Sequence, residues 1–281
     1  MNVVAGEGLV IVSDGSGLPE PVRGDPAGIF AALAMDVRLL RDHTFLNPSS
    51  AVVAARGVDE LAAAVRALPA SATALFLART DPLRARAVQR DVARSRRIPI
   101  VTEEDTLGIA LAAAALVTLH RAGIALPDAR VVVAGADKVP LLALLLMAAG
   151  VGDIASWTTV DAEGFPLSGV ARGASLVIDL ADAAGTIRPV FGDEMPLTIV
   201  RPGDPVAHLL ALPGLLRALW DVPTPGWAGD PARQVEVHRA GARALAALAP
   251  VDRGLPELAD PDLTCRVAQA VVDVLRQPHS R

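Results

Sequence analysis

The segment Arg130-Val131-Val132-Val133-Ala134 is a short β-branched run that stops at Gly135 and is followed, past Pro140, by the apolar stretch Leu141 to Gly150. A β-branched run of this length bounded by glycine reads as a strand buried on both faces, and the longer apolar stretch behind it reads as a helix. A strand whose two faces are both apolar needs helices on both sides. The economical way to supply them is a parallel sheet built from alternating β and α elements.

The same alternation runs through the rest of the chain. Leu9 to Val12, Val52 to Ala54, Ala74 to Leu77 and Ile98 to Val101 read as strands before the central segment, and Thr158 to Asp161, Leu176 to Asp179 and Leu197 to Val200 after it. Between them lie helical patterns over Ala27 to Leu40, Val58 to Leu68 and Arg84 to Arg97, and a long apolar helix beginning near Thr106. Pro231 to Leu248 and Leu263 to Leu275 are helical in pattern and follow a linker-like stretch from Pro223 to Pro231; they form a terminal cap, which Trp220 and Trp227 staple to the sheet. The fold class is therefore α/β. At 281 residues the chain exceeds the usual span of one domain, so two domains are expected.

Several function classes drop out. A net charge of -5 and no run of basic residues interleaved with aromatics give no field for a nucleic-acid backbone. The apolar stretches Leu107 to Leu119 and Val139 to Val151 fall short of the roughly 18 to 20 residues that span a bilayer. Cys265 is the only cysteine, which excludes an intramolecular disulfide and a cysteine-built zinc site. Met1 to Val12 lacks the layout of an export signal, so a cytoplasmic location is expected.

Candidate chemistry gathers at strand ends, where open α/β sheets bind ligands. Gly135, Ala136, Asp137 and Lys138 form the turn of a Rossmann-type opening, placed to hold a dinucleotide diphosphate, and Asp161 falls near the position of the ribose-binding acid. Ser13-Asp14-Gly15-Ser16-Gly17 closes the first strand. Glu103, Glu104 and Asp105 precede the long apolar helix, and three acids at a helix N-terminus read first as caps. Among the histidines, His43, His120, His238 and His279 read as structural or solvated; His208 is the one set near the expected cleft.

Three blocks in order resemble the malic enzymes, the NAD(P)-dependent decarboxylating malate dehydrogenases. Val10-Ile11-Val12-Ser13-Asp14-Gly15-Ser16 with Met35-Asp36-Val37-Arg38 is similar to the family's first strand, turn and following helix. Ile98-Pro99-Ile100-Val101-Thr102-Glu103-Glu104 through Gly108 resembles its IPVFHDDQHGTA block, and Leu210-Ala211-Leu212-Pro213-Gly214-Leu215-Leu216-Arg217 with Asp221 its LAFPGIFRGALD block. The stretch between Gly185 and Val206 is shorter than in the family. The resemblance implies a malic-enzyme-like N-terminal α/β domain over residues 1–104 and a Rossmann-type doubly wound NAD(P)-binding domain over 105–281, ending in the helical cap. It also implies NAD or NADP, a divalent Mg or Mn ion, a small carboxylate ligand and a homodimer.

It further implies site positions, several of them altered. The family's catalytic lysine falls on Arg38, a guanidinium that cannot accept a proton. The metal-binding acids fall near Ala78 and Arg79, leaving Asp81 nearby, and on Glu103 and Glu104. Arg38, Glu103 and His208 are thus the catalytic candidates, with Glu104 and Asp81 as metal ligands. The three fingerprint glycines become Gly135, Asp137 and Pro140, and the chain has no tyrosine to serve as the family's general acid. These losses together point to a family fold that has given up malate oxidation and serves another small ligand or a partner. The alternative is an active oxidoreductase of the malic enzyme type.

Overall fold

The computed structural model describes residues 7–19, 22–93, 95–183, 198–200, 206–224 and 227–277. His279 and most of the shortened stretch between Gly185 and Val206 lie outside the described residues.

Two four-stranded parallel sheets make up the α/β body. The first contains β1 (Glu7–Ser13), β2 (Asn47–Val52), β3 (Ala74–Leu77) and β4 (Ile100–Thr102), in the order β2-β1-β3-β4. The second contains β5 (Arg130–Ala134), β6 (Asp153–Trp157), β7 (Leu176–Asp179) and β8 (Thr198–Val200), in the order β6-β5-β7-β8. The two orders are the same pattern used twice. In each, the chain reverses direction along the sheet between its first and third strands, and at such a reversal the loops part to leave a crevice.

Helix formation follows the local signals. Helix α1 (Pro26–His43) starts with Pro at its first position and Asp25 accepting from the N–H groups of Ala27 and Gly28. α2 (Val58–Arg66) and α3 (Pro82–Val92) cover the first sheet. α4 (Glu103–Arg121) opens on a capping box between Thr102 and Asp105. Its apolar residues are buried nearly all round, as a helix enclosed by protein requires. α5 (Leu142–Ala149) and the short α6 (Leu167–Val170) flank the second sheet. The terminal cap is α7 (Leu212–Asp221), α8 (Pro231–Leu248) and α9 (Leu263–Arg276). Gly214 lets α7 and α9 touch, since a Cβ there would lie 2.5 Å from Val267 Cβ. Trp220 Nε1 donates to Thr73 O, and Trp227 is buried against His238. Trp220 thus ties the cap to the first sheet, while Trp227 packs within the cap.

Two strand expectations need correction. The strand expected at Val52 to Ala54 is β2, which ends at Val52; its polar sequence Asn-Pro-Ser-Ser survives because β2 is an edge, where Pro48 is tolerated. The strand expected at Thr158 to Asp161 is β6, which ends at Trp157; Thr158 and Asp161 instead form a capping box over a 3-10 turn, Thr159–Glu163.

One apolar core runs through both sheets. It includes Leu9, Ile11 and Phe76 from the first, Val131, Val133 and Ile178 from the second, and Ile109 to Leu119 of α4 between them. Among the described residues no helix is long and apolar enough to cross a membrane.

Candidate functional site

A cavity of about 550 Å³ opens where the crevices of the two sheets meet. The β1 loop contributes Ser16 and Gly17, the β3 loop Arg79, Thr80 and Asp81, the start of α4 Glu103 and Glu104, and the β5 turn Asp137 and Lys138. These are the carboxyl ends of three parallel strands and the helix that follows a fourth, the arrangement in which α/β sheets hold ligands.

The β1 loop is tightly built. Gly15 has φ +73, and a side chain there would run into Ile29, so only glycine fits. Ser16 donates from Oγ to Asp14 Oδ1 at 2.6 Å and accepts from the Asp81 N–H at 2.8 Å, joining the β1 and β3 loops. Asp14 also accepts from Arg84. The acids of this rim are therefore committed before any ligand arrives.

Arg79 is the centre of the site. Its backbone N–H donates to Glu103 Oε2 at 2.6 Å, Nη1 donates to Glu103 Oε1 at 2.9 Å, and Nη2 faces both oxygens of Asp36 at 3.2 Å. Asp36 Oδ1 also lies 3.1 Å from His208 Nε2, and that nitrogen is 3.2 Å from Arg79 Nη2. Arg79 has φ +52, a left-handed conformation that costs a non-glycine residue about 1 kcal/mol or more and is common at functional sites. Its Nε is buried without a partner.

Of the catalytic candidates, the structure brings Glu103 and His208 to the same guanidinium, that of Arg79, but not Arg38. The Arg38 guanidinium points to solvent with a side-chain exposure of 75% and pairs with Asp42 one turn on. Residues two apart on a helix face about 200° apart, so the residue facing inward is Asp36, in phase with buried Ile29, Leu33 and Leu40. That phase was readable in the sequence. Arg79 was not, since its partners lie 43, 24 and 129 residues away.

Behind the cavity sits a second polar cluster. Arg86 donates to Glu104 Oε2 from Nε at 3.0 Å, to Asp105 Oδ1 from Nη2 at 3.0 Å and to Gln234 Oε1 from Nη1 at 2.9 Å. Gln89 Nε2 donates to Asp105 Oδ2 and to the Ile100 carbonyl, both at 2.8 Å. His238 Nε2 lies 3.5 Å from Asp105 Oδ1. Burial pushes the Glu104 carboxyl above its ordinary value against the pull of Arg86. For Asp105 the upward push of burial is outweighed by Arg86 and by the bonds from Thr102 and Gln89, and its carboxyl lies below the usual value. Burial drives His238 down to about 4, so the ring is neutral at pH 7.

A divalent cation fits these residues poorly. Glu104 is taken by Arg86, and Asp81 caps α3 by accepting from the Arg84 N–H. Among the described residues no three His, Cys, Asp or Glu side chains are spaced to hold a metal. The β5 turn fits a diphosphate no better. Gly135, at φ +81, makes the expected tight turn against the Leu180–Ala181 backbone. After it, however, Pro140 delays the helix until Leu142, and the Leu141 N–H at its mouth already faces Glu104 Oε1 at 3.3 Å. A helix N-terminus whose free N–H is already faced by an internal carboxylate, with Asp137 on the same rim, is a poor seat for the several charges of a diphosphate. Lys138 donates to Leu180 O at 2.7 Å, and Asp161 accepts from the Thr158 N–H and hydroxyl, whose bonds hold its carboxyl below the ordinary value. Gly135→Ala should cost about 1–2 kcal/mol in the left-handed turn, and more where its Cβ would lie 2.9 Å from Ala181 N. A denaturant midpoint unchanged from the parent would show that the turn can relax.

No family model and no curated protein matches the sequence. Solved structures do match the fold. The chain is similar to the NAD-dependent malic enzyme of Thermotoga maritima, at 15% identity and a TM-score of 0.71 over 95% of this chain and 84% of that one. It is also similar to the malic enzyme of Pyrococcus horikoshii, at 16% identity and a TM-score of 0.75 over 97% of this chain and 77% of that one. With the malic enzyme of Entamoeba histolytica the identity is 16% and the TM-score 0.77, over 97% of this chain and 70% of that one.

The fold is that of the malic enzymes. The malic-enzyme fold is thus carried here on a sequence whose charged residues pair with one another around the cleft. That explains why short blocks of sequence pointed to the fold while the residues at its centre departed from expectation.

Proposed function

We propose that this malic-enzyme-like chain does not carry out NAD(P)-dependent oxidative decarboxylation, and that its cleft takes a small carboxylate-bearing molecule without nicotinamide or divalent metal. The observation that carries this reading is the pairing of Arg79 with Asp36 and Glu103 at the cavity wall. It puts a fixed protein cation where the resemblance would place metal-binding acids. Around it, donors remain for a carboxylate. Lys138 uses one N–H on Leu180 O and has two more, and the side chain of Arg79 lines the same cavity. In this reading Lys138 and Arg79 bind and orient the ligand, and His208 and Asp36 position Arg79. The competing reading, an active oxidoreductase, is favoured by the fold's likeness to an NAD-dependent enzyme.

Titration with NADH and NADPH, followed by nucleotide fluorescence with and without Mn2+, separates the two. No saturable signal at millimolar nucleotide is expected, and micromolar binding in the presence of Mn2+ would sink the proposal. A thermal-shift panel of small mono-, di- and tricarboxylates should find at least one that raises the melting temperature. Lys138→Ala should weaken that ligand by about tenfold or more, the usual loss when a charged hydrogen bond is removed. A ligand held equally well by Lys138→Ala would place the site elsewhere.

A further inference from the structure

We propose that the protein binds an anionic amphiphile, a carboxylate on an unbranched alkyl tail, in a cavity at the end of α4 remote from the cleft. That cavity, of about 760 Å³, lies between the last turns of α4 and of α8. α4 has 19 residues, and at a rise of about 1.5 Å per residue its two ends stand roughly 27 Å apart. The site is therefore separate from the cleft that opens at the start of α4, and the inference is independent of whether that cleft binds a small carboxylate.

Three observations carry it. The first is the wall. Leu116 and Val117 of α4, Ile124 and Leu126 just beyond it, and Ala246 and Ala247 of α8 line the cavity. The two alanines are too short to close the space between the helices, which leaves a hollow where interiors are otherwise close-packed. A hollow of this volume with apolar walls suits the apolar body of a small ligand. The second is charge. The chain carries 31 acidic residues against 26 basic ones, yet no acid lines this cavity, while His120, Arg121 and Arg243 all do. Among the described residues His120 and Arg243 have neither a hydrogen bond nor an ion pair, and both are exposed. The third is Val251, which lines the cavity although it is 95% exposed. The turn that carries it is anchored, because Arg121 Nη2 donates to the Pro250 carbonyl and, at 2.8 Å, to that of Arg253. A valine fixed in water at the lip of an apolar hollow gains a neighbour when an alkyl tail lies in that hollow.

Other occupants satisfy only part of this. A two-fold contact with a second copy would set the same patch against itself, so that the basic groups of one face met those of the other. A neutral apolar molecule would cover the walls and leave the Arg243 guanidinium without a counter-charge. A small polar carboxylate would pair with the guanidinium and leave the walls wet. An amphiphile places its tail along α4 and α8 and its head between Arg243 and His120.

Decanoate is the probe, kept below its micelle threshold and read by isothermal titration calorimetry. It should bind one molecule per chain with a submillimolar Kd. Octanoate should bind about tenfold more weakly, since two buried methylene groups are lost. Decyltrimethylammonium, with the same tail and the opposite charge, should also bind at least about tenfold more weakly. Arg243→Glu should weaken decanoate by about tenfold or more, and Ala247→Trp, which fills the hollow from an exposed position, should abolish binding. Lys138→Ala should leave the decanoate affinity unchanged, which separates this site from the cleft. No saturable decanoate binding overturns the proposal, as does equal binding by a folded Arg243→Glu protein or a loss with Lys138→Ala. Should Ala247→Trp fail to fold, the series of tail length and head charge on the parent decides, and equal affinities for decanoate and decyltrimethylammonium overturn the proposal. A parent dimer in sedimentation velocity that Ala247→Trp splits would give the face to a second copy, and flotation on phosphatidylglycerol vesicles without binding of monomeric decanoate would give it to a bilayer; either result overturns the proposal too.

Discussion

Arg86→Ala is expected to unfold the protein about 10 °C or more below the parent. Arg86 has a side-chain exposure of 8% and is the cation shared by Glu104 and Asp105, whose side chains are 2% and 0% exposed. Removing one partner of a buried ionic network leaves uncompensated charge, which typically costs about 3–5 kcal/mol. At roughly 2–4 °C per kcal/mol for a chain of this size, that gives the stated shift. Glu104→Gln in the Arg86→Ala background should recover part of the loss, because it removes one stranded charge. Arg86→Lys should fall between, since an ammonium cannot serve Glu104, Asp105 and Gln234 at once from a planar fork. Circular-dichroism melts of the four proteins decide the matter, and a shift of about 2 °C or less for Arg86→Ala would show that the two acids had simply taken up protons.

The second large effect is a pH dependence assigned to His238. Burial holds this ring at about 4 in the folded protein, against about 6.5 when exposed in the unfolded chain. The folded value is the lower one, so the unfolded state takes up the proton first. Stability from this group is complete above pH 6.5, falls as the pH drops, and is lost by about pH 4. The loss comes to about 3 kcal/mol. Glu104 works in the opposite sense. Its folded value is raised by burial, so it gains protonated stability over the same acid range and flattens the parent curve. The comparison must therefore be with His238→Leu, measured by urea unfolding from pH 7 to pH 4. The difference between the two curves should change by about 3 kcal/mol across that interval. Parallel curves would mean that the folded protein carries His238 protonated against Asp105.

The legible part of this protein was the part written in neighbouring residues. β1, β3 and β7 fall where short apolar runs put them, and α8 and α9 end where their periodicity ends. The three acids that open α4 read correctly as a helix start, with Asp105 closing a capping box. β2 and β6 were misplaced because their sequences are polar or mixed, and neighbouring apolar residues gave the stronger local signal. At the site, the turn at Gly135 was visible because glycine announces a left-handed backbone. The use of Glu104 at the mouth of α5 was not, because it depends on packing across 37 residues. Arg79 and Arg86 sit in a stretch rich in charges of both signs, where nothing local separates an arginine that faces solvent from one that organises the interior. Only the three-dimensional meeting of α1, α3, α4 and α8 tells them apart.

The position of α4 has a consequence for whether the chain can be divided into two halves that stand alone. Its first turn is capped by the last residue of the first sheet and clamped by Arg86, and its body lies in the core shared with the second sheet. A cut between residues 104 and 105 would part Thr102 from Asp105 within a single capping box. The two sheets repeat one strand order, and α4, packed in the core common to both, ties the stability of each half to that of the other.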